Sequence, residues 1–195
     1  MTRVLSELDI LGTNFDWTIE RYHNAIAAGV LTEYDKVELI KGRIIKKMPI
    51  SEDHSGVVEN LTLLFFELLG RKFRYRSENP ITLPNDSEPE PDFVVAKKLE
   101  EGEKSYHPRP EHIHLVIEVA NETLDYDRKV KAKLYAEAGI KEYWIINIKF
   151  RKVEVYSSPS LEDGSYESVI NYEENADLHS PFLGSFPTKK LLPIQ

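Results

Sequence analysis

There is no cysteine among these 195 residues, so the chain has neither a disulfide framework nor a thiolate metal site. No apolar run approaches the roughly 20 residues that a bilayer-spanning helix needs. The opening residues, Met1-Thr-Arg-Val-Leu-Ser-Glu7, lack the apolar stretch of a secretory signal. These absences make cytoplasmic residence the expectation, with no membrane partner. Positive charge is also scarce: 25 Lys and Arg face 33 Asp and Glu, for a net charge of -8. That balance argues against unspecific attraction to nucleic-acid phosphates over the whole surface, while leaving room for a local basic patch. Internal repeats, low-complexity stretches and dividing linkers are missing too. A single domain over 1–195 is therefore expected.

What is present reads as alternating helices and strands. Residues 1–16 show no period and are expected to form an extended lead-in. Thr18 can cap a helix through Ala28, with Gly29 as its stop. Val37–Ile40 and Arg43–Met48, joined by Lys41-Gly42, predict a hairpin. Glu38 on its first strand is either an edge charge that discourages strand pairing or a functional acid. Ser51 can cap a long helix to about Leu69, closed by Gly70, with Val57, Leu61, Leu64, Phe65 and Leu68 on its core face. His54 lies in the first turn of that helix. It is either a packed histidine or a ligand at an anion-favouring helix start.

Strands are expected at Phe73–Ser77, Ile81–Leu83, Asp92–Ala96, Ile113–Val119 and Glu142–Ile148. A long polar excursion occupies 97–112. Its histidines, with His114 just beyond, lack a second partner set for metal binding. Asp127 is expected to cap a helix to Ala138, followed by Gly139. The strand–helix–strand order around it predicts a parallel crossover unit. Arg151–Tyr156 and Tyr166–Ile170 predict an antiparallel pair across a turn at Pro159–Gly164. That exposed pair makes a homodimer a possible assembly. The proline-bearing tail from Leu178 to Leu192 is expected to be irregular.

Chemistry concentrates between Glu90 and Lys131. In the strand Ile113–Val119, alternation puts Glu118 on the face opposite Ile117 and Val119. A carboxylate in a buried strand is costly unless it is paired or holds a cation. Asp92 meets the same difficulty at the start of its own apolar run. On a helical wheel Lys131 falls between Val130, Leu134, Tyr135 and Ala138, so it must snorkel out or meet a carboxylate. Two acids with a lysine turned toward them suit Mg²⁺ or Mn²⁺ and an attacking water. A buried Lys–Asp–Glu ion network without catalysis is the competing reading.

At these residues the chain resembles the Uma-two endonuclease-like family, a domain of unknown function within the PD-(D/E)xK, restriction-endonuclease-like superfamily. The matching stretches are Trp17–Tyr22, Val37–Gly42, Asn79–Ile81, Glu88-Pro-Glu-Pro-Asp92, Val116–Val119, Asp127–Lys131 and Tyr135–Trp144. The resemblance implies an α/β fold with a central mixed sheet flanked by helices, and a Mg²⁺- or Mn²⁺-dependent nuclease acting on DNA. It implies Asp92 and Glu118 as metal-binding acids, Lys131 as the lysine that stabilises developing charge, and Glu38 as an early acid aiding the metal or its water. His54 corresponds to a histidine near the site. The chain departs from the usual signature at Ala120, where the lysine two residues after the glutamate would stand, and the role moves to Lys131 on the following helix. A catalytically silent binding or regulatory domain of the same fold is the alternative.

Overall fold

The structure, a computed structural model, describes residues 15–49, 51–101 and 105–193. The extended lead-in expected over 1–16 lies outside the described residues as far as residue 14, as do residues 102–104 of the polar excursion. The chain forms two compact units, one up to Lys47 with Asn85–Ser87, the other comprising Met48–Pro84 and Glu88 onward.

In the N-terminal unit, helix α1 (Ile19–Ala27) starts where the Thr18 hydroxyl accepts the Arg21 N–H at 3.2 Å. It buries Tyr22 and Ala25. Strands β1 (Val37–Ile40) and β2 (Arg43–Lys46) pair antiparallel. Their connection, Lys41-Gly42, takes φ of 48° and 72°, the doubly left-handed turn that matches strand twist. A Cβ on Gly42 would lie 3.0 Å from the Asp16 side chain and 3.1 Å from the Trp17 carbonyl, so this turn needs glycine for space as well as conformation. Glu38 is buried on β1 opposite Ile45, which is not the setting of an exposed edge charge.

In the second unit, six strands form one mixed sheet in the order β3-β4-β5-β6-β7-β8. These are β3 (Phe73–Ser77), β4 (Phe93–Lys97), β5 (Ile113–Ala120), β6 (Glu142–Asn147), β7 (Lys152–Ser160) and β8 (Ser165–Glu173). All neighbours run antiparallel except β5 and β6, the pair joined by a helical run over 124–137, here α3. Helix α2 (Glu52–Leu69), capped by Ser51, covers one face. Its Val57, Leu61 and Phe65 pack with Phe93, Val95, Leu115, Ile117, Val119 and Trp144. Tyr135 of α3 meets the other face, stacking edge-on with Tyr143 of β6 at 5.0 Å; Tyr156 and Tyr166 continue that aromatic layer. Among the described residues no helix is long and apolar enough to cross a membrane.

Several expectations need correction. Leu68 of the α2 stripe is exposed and Val58 is buried in its stead, because the last turn runs past the edge of the core. Ile81 and Leu83 are buried but form no strand of the sheet. The tail is not irregular: β9 (Asp177–Ser180) and β10 (Gly184–Pro187) make a hairpin, with Pro181 in the turn and Pro187 at a strand end, where neither breaks a ladder. Strand β7 reaches Ser160, so Pro159 pairs with Tyr166 and the turn begins later. The third helix begins at Leu124 rather than after an Asp127 cap, and residues Asp127–Lys131 form a π-helical turn. That wider turn rotates the wheel: Val130, expected inward, is 37% exposed, and Asp127 and Lys131 are buried.

Phe65 sits in ring contact with Phe93 at 5.1 Å and Trp144 at 6.2 Å, completely shielded from solvent. Phe65→Ala should cost about 3–5 kcal/mol. Urea unfolding followed by circular dichroism checks this: the midpoint should fall with an unchanged denaturant slope.

Candidate functional site

Antiparallel pairing of β4 with β5 sets Phe93 opposite Ile117, so Asp92, one residue before β4, comes to lie beside Glu118. The two acids hold one another's strands. The Val119 N–H donates to Asp92 Oδ2 at 2.6 Å, and the Asp92 N–H donates to Glu118 Oε2 at 3.3 Å. Charge-assisted bonds of this kind are stronger than neutral ones and orient both carboxylates.

Helix α3 closes over Glu118 from the other side. Lys131 Nζ stands 3.4 Å from Glu118 Oε1, with both side chains nearly buried. The Tyr135 hydroxyl, one turn further on, donates to the same oxygen at 2.6 Å. Asp127 opens the π turn, where its carboxylate accepts the Thr123 hydroxyl at 2.7 Å and its carbonyl accepts the Tyr143 hydroxyl at 3.2 Å. Burial pushes the Glu118 carboxyl up to about 8; Lys131 and the Tyr135 bond pull it down, while the Asp92 and Asp127 carboxylates add to the rise.

His54 approaches Asp92 from the first turn of α2, where the Ser51 hydroxyl accepts its N–H at 3.3 Å. Its Nε2 lies 3.0 Å from Asp92 Oδ2. Burial works to lower the His54 pKa, but the bond to Asp92 and the charges of Asp92, Glu78 and Asp127 outweigh it and raise the value. Glu78 arrives at the same place because its N–H donates to the Asp92 carbonyl at 3.1 Å just after β3 ends. His54, Glu78 and Asp92 each offer a donor atom within 4.8 Å of the others.

Thus Asp92, Glu118, Lys131 and His54 come together in the second unit, while Glu38 belongs to the N-terminal unit. Sequence reasoning missed Glu78 and Tyr135 as members. Tyr135 was legible, being four residues from Lys131 on one helix; Glu78 sits in the bend before Asn79-Pro80, where no periodicity marks it. The three histidines near the polar excursion go to separate environments. His107 meets Glu88 at 3.3 Å, His112 accepts the Arg109 N–H, and His114 packs against the Phe73 and Phe182 rings. The donor chemistry fits a divalent cation: adjacent carboxylates are ordinary ligands for Mg²⁺ or Mn²⁺, and a histidine in reach suits the latter better.

The raised Glu118 pKa has a definite stability consequence. Between about 4.5 and 8 the folded chain keeps a proton that the unfolded chain has released, so this group's contribution to stability falls as pH rises through that window. Metal-free wild type should lose stability across it relative to Glu118→Gln, by up to about 1.4 kcal/mol per pH unit. Urea unfolding at four pH values in chelator measures the difference. Parallel pH profiles would show that the carboxyl is not shifted.

Comparison with known proteins agrees with this architecture. A solved structure described as a putative nuclease belonging to DUF820, from Anabaena variabilis ATCC 29413, superposes with a TM-score of 0.67. That match covers 89% of this chain and 96% of the other, at 18% identity, a likeness of fold. No curated protein matches the chain. Residues 19–188 match the Uma2 family, described as "Putative restriction endonuclease". With most of its length inside that match, the chain belongs to the Uma2 restriction-endonuclease-like family.

Proposed function

We propose that this protein is a divalent-cation-dependent nuclease that hydrolyses phosphodiester bonds in DNA. The observation carrying this reading is the junction of Asp92 and Glu118 at adjacent strand ends, with Lys131 at 3.4 Å from Glu118. Family membership supports the nuclease class. Asp92 and Glu118 would hold Mg²⁺ or Mn²⁺. When bound, the cation supplies Lewis-acid polarisation of a phosphoryl oxygen and a more acidic water.

The chain's own residues do the rest. The Lys131 ammonium places fixed positive charge beside Glu118, where it offsets the negative charge that grows on phosphate oxygens as the bond breaks. Tyr135 orients Glu118 through Oε1, and His54 orients Asp92 through Oδ2. Glu38 is assigned a supporting role toward the metal or its water, on the family resemblance alone. We place the activity in the cytoplasm, with DNA as the macromolecular partner; a homodimer is compatible with β8 ending the sheet among the described residues.

A second reading, a catalytically silent domain of this fold, is favoured by one feature. Both Glu118 oxygens already accept protein donors, as in a self-sufficient ion network.

Incubation with supercoiled plasmid and Mg²⁺ or Mn²⁺ separates the two. Wild type should nick; Asp92→Ala and Lys131→Met should each be slower by about 100-fold or more, the scale of losing one transition-state charge contact. Circular dichroism confirms that the variants fold. Equal nicking by all three would mark a contaminant and remove the support for hydrolysis.

A further inference from the structure

The cluster of His54, Glu78 and Asp92 is more than a brace for one acid. We infer that these three residues form a nitrogen-containing site for a first-row divalent cation, sharing Asp92 with the oxygen-only position at Glu118. The inference rests on the proposed nuclease reading only through that shared carboxylate.

Geometry is the first argument. Ligands at about 2.1 Å from an ion lie about 3.0 Å apart at the edge of an octahedron and about 3.4 Å apart in a tetrahedron. His54 Nε2 and Asp92 Oδ2 already stand at 3.0 Å, and all three donor atoms fall within 4.8 Å of one another.

Placement is the second. The donors come from three segments, the first turn of α2, the bend after β3 and the start of β4, and main-chain bonds fix each one. The Ser51 cap holds His54, the Glu78 N–H reaches the Asp92 carbonyl at 3.1 Å, and the Val119 N–H holds the Asp92 carboxylate. Glu78 takes φ of 50°, a left-handed conformation that residues other than glycine seldom adopt. The bend therefore presents an exposed carboxylate beside a buried imidazole and a half-buried carboxylate.

Ligand chemistry is the third. Mg²⁺ and Ca²⁺ prefer oxygen-only shells, whereas an imidazole nitrogen shifts preference toward Mn²⁺, Co²⁺ and Zn²⁺. The His54 site should therefore distinguish Mn²⁺ from Mg²⁺, and the Glu118 position should not. A plain His–Asp hydrogen bond, with Glu78 simply in solvent, would make no such distinction.

Pulsed electron paramagnetic resonance on the Mn²⁺-loaded protein reads the site without reference to activity. Wild type and Glu118→Gln should both show ¹⁴N coupling from a coordinated imidazole, and His54→Gln should lose it. Glu78→Gln alters an exposed side chain and should fold as wild type. By calorimetry it should weaken Mn²⁺ binding by at least about tenfold while changing Mg²⁺ affinity by less than about twofold. Bound Mn²⁺ without ¹⁴N coupling, no Mn²⁺ binding, or unchanged Mn²⁺ affinity in Glu78→Gln would each overturn the site. Nicking with no ¹⁴N signal would refute this inference and leave hydrolysis standing. A ¹⁴N signal with no nicking would do the reverse.

Discussion

The reciprocal bonds between the ends of β4 and β5, from Val119 N–H to Asp92 and from Asp92 N–H to Glu118, tie the site to the register of the sheet. That register also sets Phe93 opposite Ile117 and sends both toward Phe65 of α2, in the packed core. Because side chains alternate along a strand, the pairing that buries Ile117 and Val119 on the α2 side turns Glu118 toward α3. A slip of one residue would drive Glu118 into the apolar face and break both bonds. Hydrophobic packing and carboxylate placement are thus one constraint.

The π turn in α3 matters for the same reason. It widens the helix over Asp127–Lys131, so that Lys131 and Tyr135, one turn apart, both address Glu118 Oε1. Regular winding would have favoured Val130 at the sheet, and Val130 is instead partly exposed. An apolar contact has been exchanged for a cation and a hydroxyl at a buried carboxylate. Turns of this type recur at functional sites because one extra residue re-aims the side chains that follow.

How much of this was legible follows from which physical signals are local. Strand parity placed Glu118 away from the core face, and cap residues placed α1 and α2 to within a residue, because alternation and capping are written in neighbouring positions. Lys131 was placed on the buried side by a wheel that also predicted a buried Val130; a π turn leaves no mark on periodicity, so only half of that reasoning survives. Glu78 had no signal at all. It reaches Asp92 through a hydrogen bond between main-chain segments fourteen positions apart, a fact of tertiary pairing. The β9–β10 hairpin was hidden by prolines read as breakers, although Pro181 occupies a turn and Pro187 a strand end.

Burial and charge act together on the buried acid at the centre of this site. Around Glu118 the carboxylates of Asp92 and Asp127 both raise its pKa, and the attraction of Lys131 does not compensate for burial together with them. Burial, the largest cause, and the neighbouring carboxylates together favour the protonated form of Glu118 more than Lys131 favours the charged one. A well-packed apolar replacement of such a buried network is often neutral or stabilising for a fold. Under the proposed function, a divalent cation would compete with a proton for this carboxylate. His54 feels the same field from the other side of Asp92, where the charges of Asp92, Glu78 and Asp127 raise its pKa against the effect of burial. The two upward shifts differ in origin: burial leads for Glu118, whereas for His54 the bond to Asp92 and the surrounding carboxylates overcome burial.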